Sequence, residues 1–267
     1  MRRKRRSAVF TVGGLATNHG LATALYAREH GIRTVLALVD QPLDDHVHRQ
    51  FARIERSGAR VYRTRGTIRT IASLPLLYAA HTDWRRLRPP YFLTVGGSSA
   101  LGVLGYVEAA LELAAQVDRG DLPAPAHVVV ALGSGGTAAG LVLGFALAAL
   151  ETRVVAVQVN DRAPLDAGRL ARLARRTRRL LERRGAKLPP VTISPADLQV
   201  ETRWVGAGYG HRTAEADRAL ELARVEGLEL EPVYTGKAMA ALLELRERGE
   251  LGDGPVLYWH THNARSV

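Results

Sequence analysis

The chain has 267 residues, 46% of them hydrophobic, with 37 lysines and arginines against 26 acidic residues and a formal net charge of +11. That is enough apolar sequence for a large core, as one big domain or two modest ones. The absence of cysteine excludes disulfides, cysteine nucleophiles and thiolate metal sites. No apolar stretch with a small-residue cleavage site follows the basic start "MRRKRRS", and the longest apolar run, "GLVLGFALAAL" (140–150), is too short to span a bilayer. A soluble cytoplasmic protein without membrane partners is expected.

Short apolar runs alternate with helical patterns along the chain. A strand at 8–12 leads to a helix at 18–30, a strand at 34–39 to a helix at 43–56, and a strand at 59–63 to a helix at 66–80. Strands at 91–95, 127–132 and 153–159 lead to helices at 99–118, 136–150 and 165–184, and helices at 213–226 and 236–249 precede a last strand at 255–260. The strand runs are continuous and β-branched rather than alternating, which predicts strands buried on both faces. Strand and helix repeated in this way imply an α/β fold with open, mostly parallel sheets flanked by helices. The stretch "DRGDLPAPAH" (118–127) is rich in proline and charge and marks a compositional seam. The division expected is a smaller domain over 8–105 and a larger one over 106–267.

Three glycine loops each follow an apolar run and open a helix: "TVGGLATNHG" (11–20), "TVGGSSALG" (94–102) and "ALGSGGTAAG" (131–140). Glycine permits positive φ and close backbone approach. The free amides at a helix start, with the helix dipole, suit an anion, and ligands of open parallel sheets bind beyond the carboxyl ends of the strands. A glycine turn into a helix is equally often plain close packing. The third loop also reads as G-x-G-x-x-A through Gly133, Gly135 and Ala138, the dinucleotide fingerprint, with Asp161 as a poor candidate for the acid that reading requires. A nucleotide-dependent oxidoreductase is therefore an open alternative.

Other constellations carry less. In "RLARLARRTRRLLERR" (169–184), Leu170, Leu173, Thr177, Leu180 and Leu181 fall at helical spacing with arginines on the other face. This reads as an amphipathic helix with a solvated basic face. Nucleic acid or another anionic surface is the alternative partner, and the lack of stacking aromatics among the arginines counts against RNA. His260 and His262 are two apart on a predicted strand, as His46 and His48 would be if that segment were extended. No acidic third ligand accompanies them, so no metal is expected. "GGSSALG" is not the G-x-S-x-G elbow of serine hydrolases, and "YTGKAM" lacks the first glycine and last hydroxyl of a Walker A loop.

Four ordered stretches carry a resemblance: "GGLATNHG" (13–20), "VGGSSALGVLGYVEAALEL" (95–113), "GSGGTAAGLVLGF" (133–145) and "EPVYTGKAMAALLEL" (231–245), the last followed by "LYWHT" (257–261). Together they resemble the D-cysteine desulfhydrase and 1-aminocyclopropane-1-carboxylate deaminase family, pyridoxal-phosphate enzymes of the tryptophan synthase β-like fold (fold type II). The resemblance implies a homodimer acting on a small amino acid, with pyridoxal 5'-phosphate held between the two domains. Ser134, Gly135, Gly136, Thr137 and Ala138 would hold the phosphate. Asn18 would contact the ring hydroxyl, and Thr17, Asn18 and His19 would receive the substrate carboxylate. Tyr234 would stack on the ring, Tyr209 would be a proton-transfer group, and Thr235 and Thr261 would face the pyridine nitrogen. A hydroxyl at Thr235, where the deaminase branch has glutamate, looks like the desulfhydrase branch and implies β-elimination.

This sequence departs from the family pattern in several places. The family's lysine that bonds the cofactor aldehyde lies upstream of the first glycine loop. Lys4 reads as a surface residue, Lys187 as part of an exposed loop and Lys237 as structural. A chain lacking its lead segment, a non-catalytic homologue and the use of another lysine are the three readings, the first favoured, and non-covalent, weak or absent cofactor binding is expected of the chain as it stands. The family's serine before the asparagine is Thr17, whose methyl is expected to crowd the carboxylate site. The glycines after the final threonine are His262 and Asn263, bulk expected to narrow the site near the ring nitrogen.

Overall fold

The computed structural model describes residues 6–162 and 165–262. Lys4 and Asn263 therefore lie outside the described residues. The chain divides into two compact units at Gly97–Ser98.

The first unit is a four-stranded parallel sheet in the order β3-β2-β1-β4. Its elements are β1 (Ala8–Gly14), α1 (Asn18–Glu29), β2 (Arg33–Val39), α2 (Asp45–Arg56), β3 (Arg60–Arg63), α3 (Thr67–Ala80) and β4 (Tyr91–Phe92). The two central strands explain their apolar runs: Val9, Phe10 and residues 35–38 are buried on both faces. Leu36 and Leu38 point to α1 and α2, where Leu21, Val47 and Ile54 meet them. Phe10, Val35 and Ala37 point the other way, to Leu74, Leu77 and Tyr78 of α3. β4 is shorter than the apolar run 91–95 predicts, because the chain turns at Val95–Gly97 with Gly96 at φ 64°. The segment bearing His46 and His48 is helical, in α2 rather than extended. Residues two apart are then about 200° apart around the axis, so these histidines do not share a face.

The second unit repeats the architecture with the sheet order β7-β6-β5-β8, again all parallel. It comprises α4 (Leu104–Asp118), β5 (His127–Leu132), α5 (Gly136–Leu147), β6 (Arg153–Gln158), α6 (Ala167–Arg183), β7 (Leu198–Glu201), α7 (Ala214–Val225), α8 (Thr235–Glu247) and β8 (Val256–Tyr258). The period of two along each strand sorts the core. Val128, Val130, Val154 and Ala156 face α4, α5 and α6. Val129, Val155 and Val157 face the opposite layer, with Ala219 of α7 and Ala238, Ala241 and Leu245 of α8.

Helices α4 and α5 pack unusually close, and the sequence states why. Gly136, Gly140 and Gly144 recur at intervals of four on α5, hence on one face. A Cβ on Gly140 would stand 2.5 Å from Tyr106 Cβ, and one on Gly144 would stand 2.4 Å from Ala110 Cβ. A Cβ on Gly136 would stand 2.8 Å from Ser98 Oγ, in the turn before α4.

Helix α6 buries Leu170, Ala174 and Thr177. Part of its arginine excess has a structural use. Arg175 donates to the Ile193 carbonyl at 2.8 Å, and Arg178 donates to the carbonyls of Val191 and Pro189, so both tie down the loop that follows the helix. Arg172, Arg176, Arg179 and Arg183 lie on the exposed face.

Candidate active site

The first unit presents the end of β1 and the start of α1. Thr17 is the N-cap of α1, in an extended conformation, and its hydroxyl accepts the Gly20 N–H at 3.1 Å. This is the capping expected of threonine, which satisfies an amide the helix cannot. The Thr17 side chain occupies space that side chains at Gly13 and Gly20 would fill: a Cβ on Gly13 would lie 2.6 Å from Thr17 Oγ1, and one on Gly20 would lie 2.4 Å from Thr17 Cγ2. The methyl expected to crowd a ligand is turned against glycine backbone instead.

Asn18 follows as the first helical residue and is exposed. Its Oδ1 accepts a hydrogen bond from Gln50 Nε2 at 2.6 Å, and Gln50 Oε1 accepts one from Arg53 at 3.2 Å. His19 Nε2 lies 3.3 Å from the buried Thr11 hydroxyl, and burial pushes its pKa below the usual histidine value. The Ala16 N–H is met by the buried side chain of Gln41 at 3.2 Å. Neither Gln41 nor Gln50 belongs to a motif, and nothing in the charged and polar stretches around them singles either out.

The second unit presents the 133–138 turn. Gly135 is the N-cap of α5 at φ 88°, in the left-handed region that favours glycine, and no side chain caps the helix. Among the described residues, the amides of the first helical turn, at Gly136, Thr137 and Ala138, are thus without the internal acceptor that Thr17 supplies to α1. Ser134 Oγ and Ser98 Oγ are 2.7 Å apart, which brings the second glycine loop to the third. Gly133 lies against an aromatic ring: a Cβ there would stand 2.9 Å from Tyr234 Cε1.

Tyr234 also donates its hydroxyl to the Tyr209 hydroxyl at 2.9 Å, and the two rings meet edge to face with centroids 6.1 Å apart. Burial raises the pKa of Tyr209, and burial together with Tyr209 raises that of Tyr234 further, so both phenols stay protonated near neutrality. Since Tyr234 donates to Tyr209, the proton of Tyr209 is the one left to point elsewhere. Two adjacent residues hold Tyr209. Asp161 accepts its backbone N–H at 2.9 Å, and the Arg162 guanidinium lies 4.9 Å from its ring centroid.

Asp161 is therefore engaged within the protein, packed against Gly208 and bound to Tyr209, which argues against its use for a nucleotide ribose. Thr235 is also engaged. Its hydroxyl accepts the Glu231 N–H at 2.8 Å and donates to the Glu231 carbonyl at 3.2 Å, and the residue is 2% exposed. The buried Glu231 carboxylate accepts the N–H groups of Val233, Tyr234 and Thr235 at 2.9, 2.7 and 2.7 Å. Thr261 is exposed beyond β8. His260 Nε2 contacts the Glu229 carbonyl at 3.1 Å and its ring lies 6.5 Å from that of His262. Among the described residues no group of three metal-ligand side chains gathers, and no helix is long and apolar enough to cross a membrane.

Two lysines are placed. Lys187 is exposed in the loop after α6. Lys237, in the first turn of α8, is fully buried and donates to the Val205 carbonyl at 2.7 Å; burial lowers its pKa.

Comparison with known proteins gives this chain its family. The sequence model of the family described as "Pyridoxal-phosphate dependent enzyme" matches residues 2–262. The chain is 33% identical over 266 residues to a protein of Pyrococcus furiosus provisionally named 1-aminocyclopropane-1-carboxylate deaminase, covering 97% of this chain and 74% of that protein. It is 33% identical over 272 residues to the D-cysteine desulfhydrase of Yersinia enterocolitica, covering 99% of this chain and 78% of the relative. Among solved structures, an ACC deaminase homologue superposes with a TM-score of 0.78 at 28% identity, over 97% of this chain and 75% of that one. A threonine deaminase shares the fold, with a TM-score of 0.63 at 18% identity over 98% of this chain and 79% of that one. The nucleotide-dependent oxidoreductase and the non-enzymatic anion-binding reading find no support in these likenesses. With two sheets of the fold type II arrangement and relatives matched along nearly its whole length, this chain belongs to the pyridoxal-phosphate-dependent enzymes, in the group of the D-cysteine desulfhydrases and ACC deaminases.

Proposed function

We propose that the chain carries the phosphate and ring subsites of a lyase that eliminates a β-substituent from a small amino acid, in the manner of a D-cysteine desulfhydrase. The observation that carries the reading is the uncapped start of α5. To its three amides, with the hydroxyls of Ser134 and Thr137, we assign an anion cradle; no side chain caps them, and the Gly133 backbone leaves room for the Tyr234 ring beside them. These residues fit pyridoxal phosphate: Ser134 to Ala138 hold its phosphate and Tyr234 offers its ring a flat partner. When bound, the cofactor supplies a conjugated ring that spreads the electron pair left on the substrate α-carbon.

The protein residues then have separate tasks. Asn18 donates to the ring oxygen, and Thr17, Asn18 and His19 receive the substrate carboxylate at the start of α1, where the helix dipole favours an anion. Burial keeps His19 neutral, so it offers one donor and one acceptor. Tyr209 holds a proton that it can pass to a leaving group, since its oxygen is already satisfied by Tyr234. The resemblance sets Thr235 and Thr261 on the side of the pyridine nitrogen; the Thr235 hydroxyl is already committed to Glu231, so Thr235 puts neither a carboxylate nor a free proton there. The threonine at 235, rather than a carboxylate, favours elimination from D-cysteine, the substrate named for the Yersinia relative.

Neither placed lysine is assigned to the cofactor aldehyde, because Lys187 is exposed and Lys237 holds Val205. Purified protein should therefore bind pyridoxal phosphate reversibly, with no lysine between residues 6 and 262 modified after borohydride treatment and peptide mapping. D-cysteine and 1-aminocyclopropane-1-carboxylate should then be offered to protein with added cofactor, with sulfide, pyruvate and ammonia as the products expected from the first with one water consumed. Borohydride trapping on Lys237 or release of 2-oxobutanoate from the second alone would overturn the assignment. The exposed Ile68, Ile71 and Leu76 of α3 support a homodimer, since apolar side chains of this size gathered on one element mark association surfaces. Light scattering on the eluting peak tests it.

A further inference from the structure

Asn18 is exposed, yet its amide is not free to turn over. Nitrogen and oxygen of a side-chain amide are nearly the same size, so an isolated asparagine presents either to a ligand at little cost. The bonds behind Asn18 remove that freedom. Arg53 has donors only, so the Gln50 atom facing it at 3.2 Å is the oxygen. The Gln50 nitrogen therefore faces Asn18, and the Asn18 atom it meets at 2.6 Å is the oxygen. What Asn18 has left to offer is its NH2 group. Gln50 is 5% exposed and sits one turn before Arg53 on α2, so its amide is held by burial as well as by both bonds.

We infer that Gln50 is a positioning residue: with Arg53 behind it, Gln50 fixes Asn18 as a hydrogen-bond donor toward the anionic ring oxygen of pyridoxal phosphate. This rests on the proposed contact between Asn18 and the cofactor. The polarity matters because the same asparagine turned over would present an oxygen to an oxygen, exchanging attraction for repulsion. An acceptor-only or apolar residue at position 50 loses the polarity without touching the ligand.

The test is fluorescence titration of the purified chain with pyridoxal phosphate and with 3-deoxypyridoxal phosphate, which lacks the ring oxygen. Gln50→Glu still accepts from Arg53 but cannot donate, so Asn18 should turn its NH2 inward. Binding of pyridoxal phosphate should weaken about tenfold or more, the usual scale of a hydrogen bond to a charged group, while the 3-deoxy analogue should bind as to the wild type. Gln50→Met, which dictates neither orientation, should fall between. In an Asn18→Ala background Gln50→Glu should cost nothing further, since the group it positions is gone. Equal weakening of both ligands by Gln50→Glu, or wild-type affinity for both when Asn18→Ala alone weakens pyridoxal phosphate, overturns the inference. Asn18→Ala with unchanged affinity instead overturns the underlying contact, so the two failures are distinct. Melting curves of each variant establish that it folds.

Discussion

Helices α5 and α8 belong to the same unit and both begin at a tight turn, yet their first turns are finished in opposite ways. α8 has a built-in anion: the buried Glu231 carboxylate takes three consecutive N–H groups, at Val233, Tyr234 and Thr235. α5 has none among the described residues, and glycine stands where a capping side chain would be. A helix start whose amides are met from within is a structural joint. One whose amides are left to an outside acceptor is a place for a ligand. The contrast separates the two motifs that looked equally functional in the sequence, "GSGGTAAG" and "EPVYTGKA". It favours the first as the proposed ligand site and shows most of the second holding Tyr234 in place.

That contrast can be broken most severely at Gly135. Alanine there would take a left-handed conformation and place its Cβ 2.5 Å from Leu170 Cδ2. Gly135→Ala should lower stability by about 2–4 kcal/mol in denaturant titration and abolish pyridoxal phosphate binding. Glu231→Gln attacks the other side. It keeps the shape but removes the charge that three amides share, and should cost about 1–3 kcal/mol by the same titration while inorganic phosphate still binds at α5. Ser134→Asp would make α5 resemble α8 by placing a carboxylate just before its first turn. It should add about 0.5–1 kcal/mol of stability by supplying the helix start with an anion and should eliminate phosphate binding by repulsion.

The smallest effect is in pH. Burial lowers the pKa of His19, and burial assisted by nearby arginines lowers those of His81 and His127. The unfolded chain then binds more protons than the folded one, so stability is complete above the ordinary histidine value of about 6.5 and declines as pH falls below it. His19→Gln should flatten that decline in melting temperatures measured between about pH 7 and 5, the window set by the same ordinary value.

The sequence made much of the frame legible because buried parallel strands are continuous apolar runs and need no partner to be recognised. β7, "LQVE", escaped because it is an edge strand of four residues, half polar. The spacing of His46 and His48 would put them on one face of a strand, but the acidic start of α2, capped by Asp44, outweighs that spacing and makes the segment helical. At the candidate site, the resemblance proposes Ser134 to Ala138, Tyr209 and Tyr234, and the structure brings Tyr209 to Tyr234. Gln50, Ser98 and Arg162 could not. Each acts on a residue 32, 36 or 47 positions away, and nothing in local periodicity records such a pairing. Glu231 precedes a proline in the sequence, and only the fold shows it to be enclosed by the turn it closes.

The glycine ladder on α5 has one more consequence. Because Gly136, Gly140 and Gly144 let α4 lie directly on the α5 backbone, the hydroxyls of Ser98 and Ser134 are carried by what is mechanically a single strut. A shim one carbon thick at Gly144, two helical turns from the anion cradle, would lever the two loops apart at their far end, so a substitution with no ligand contact should reach the cradle through stiffness alone.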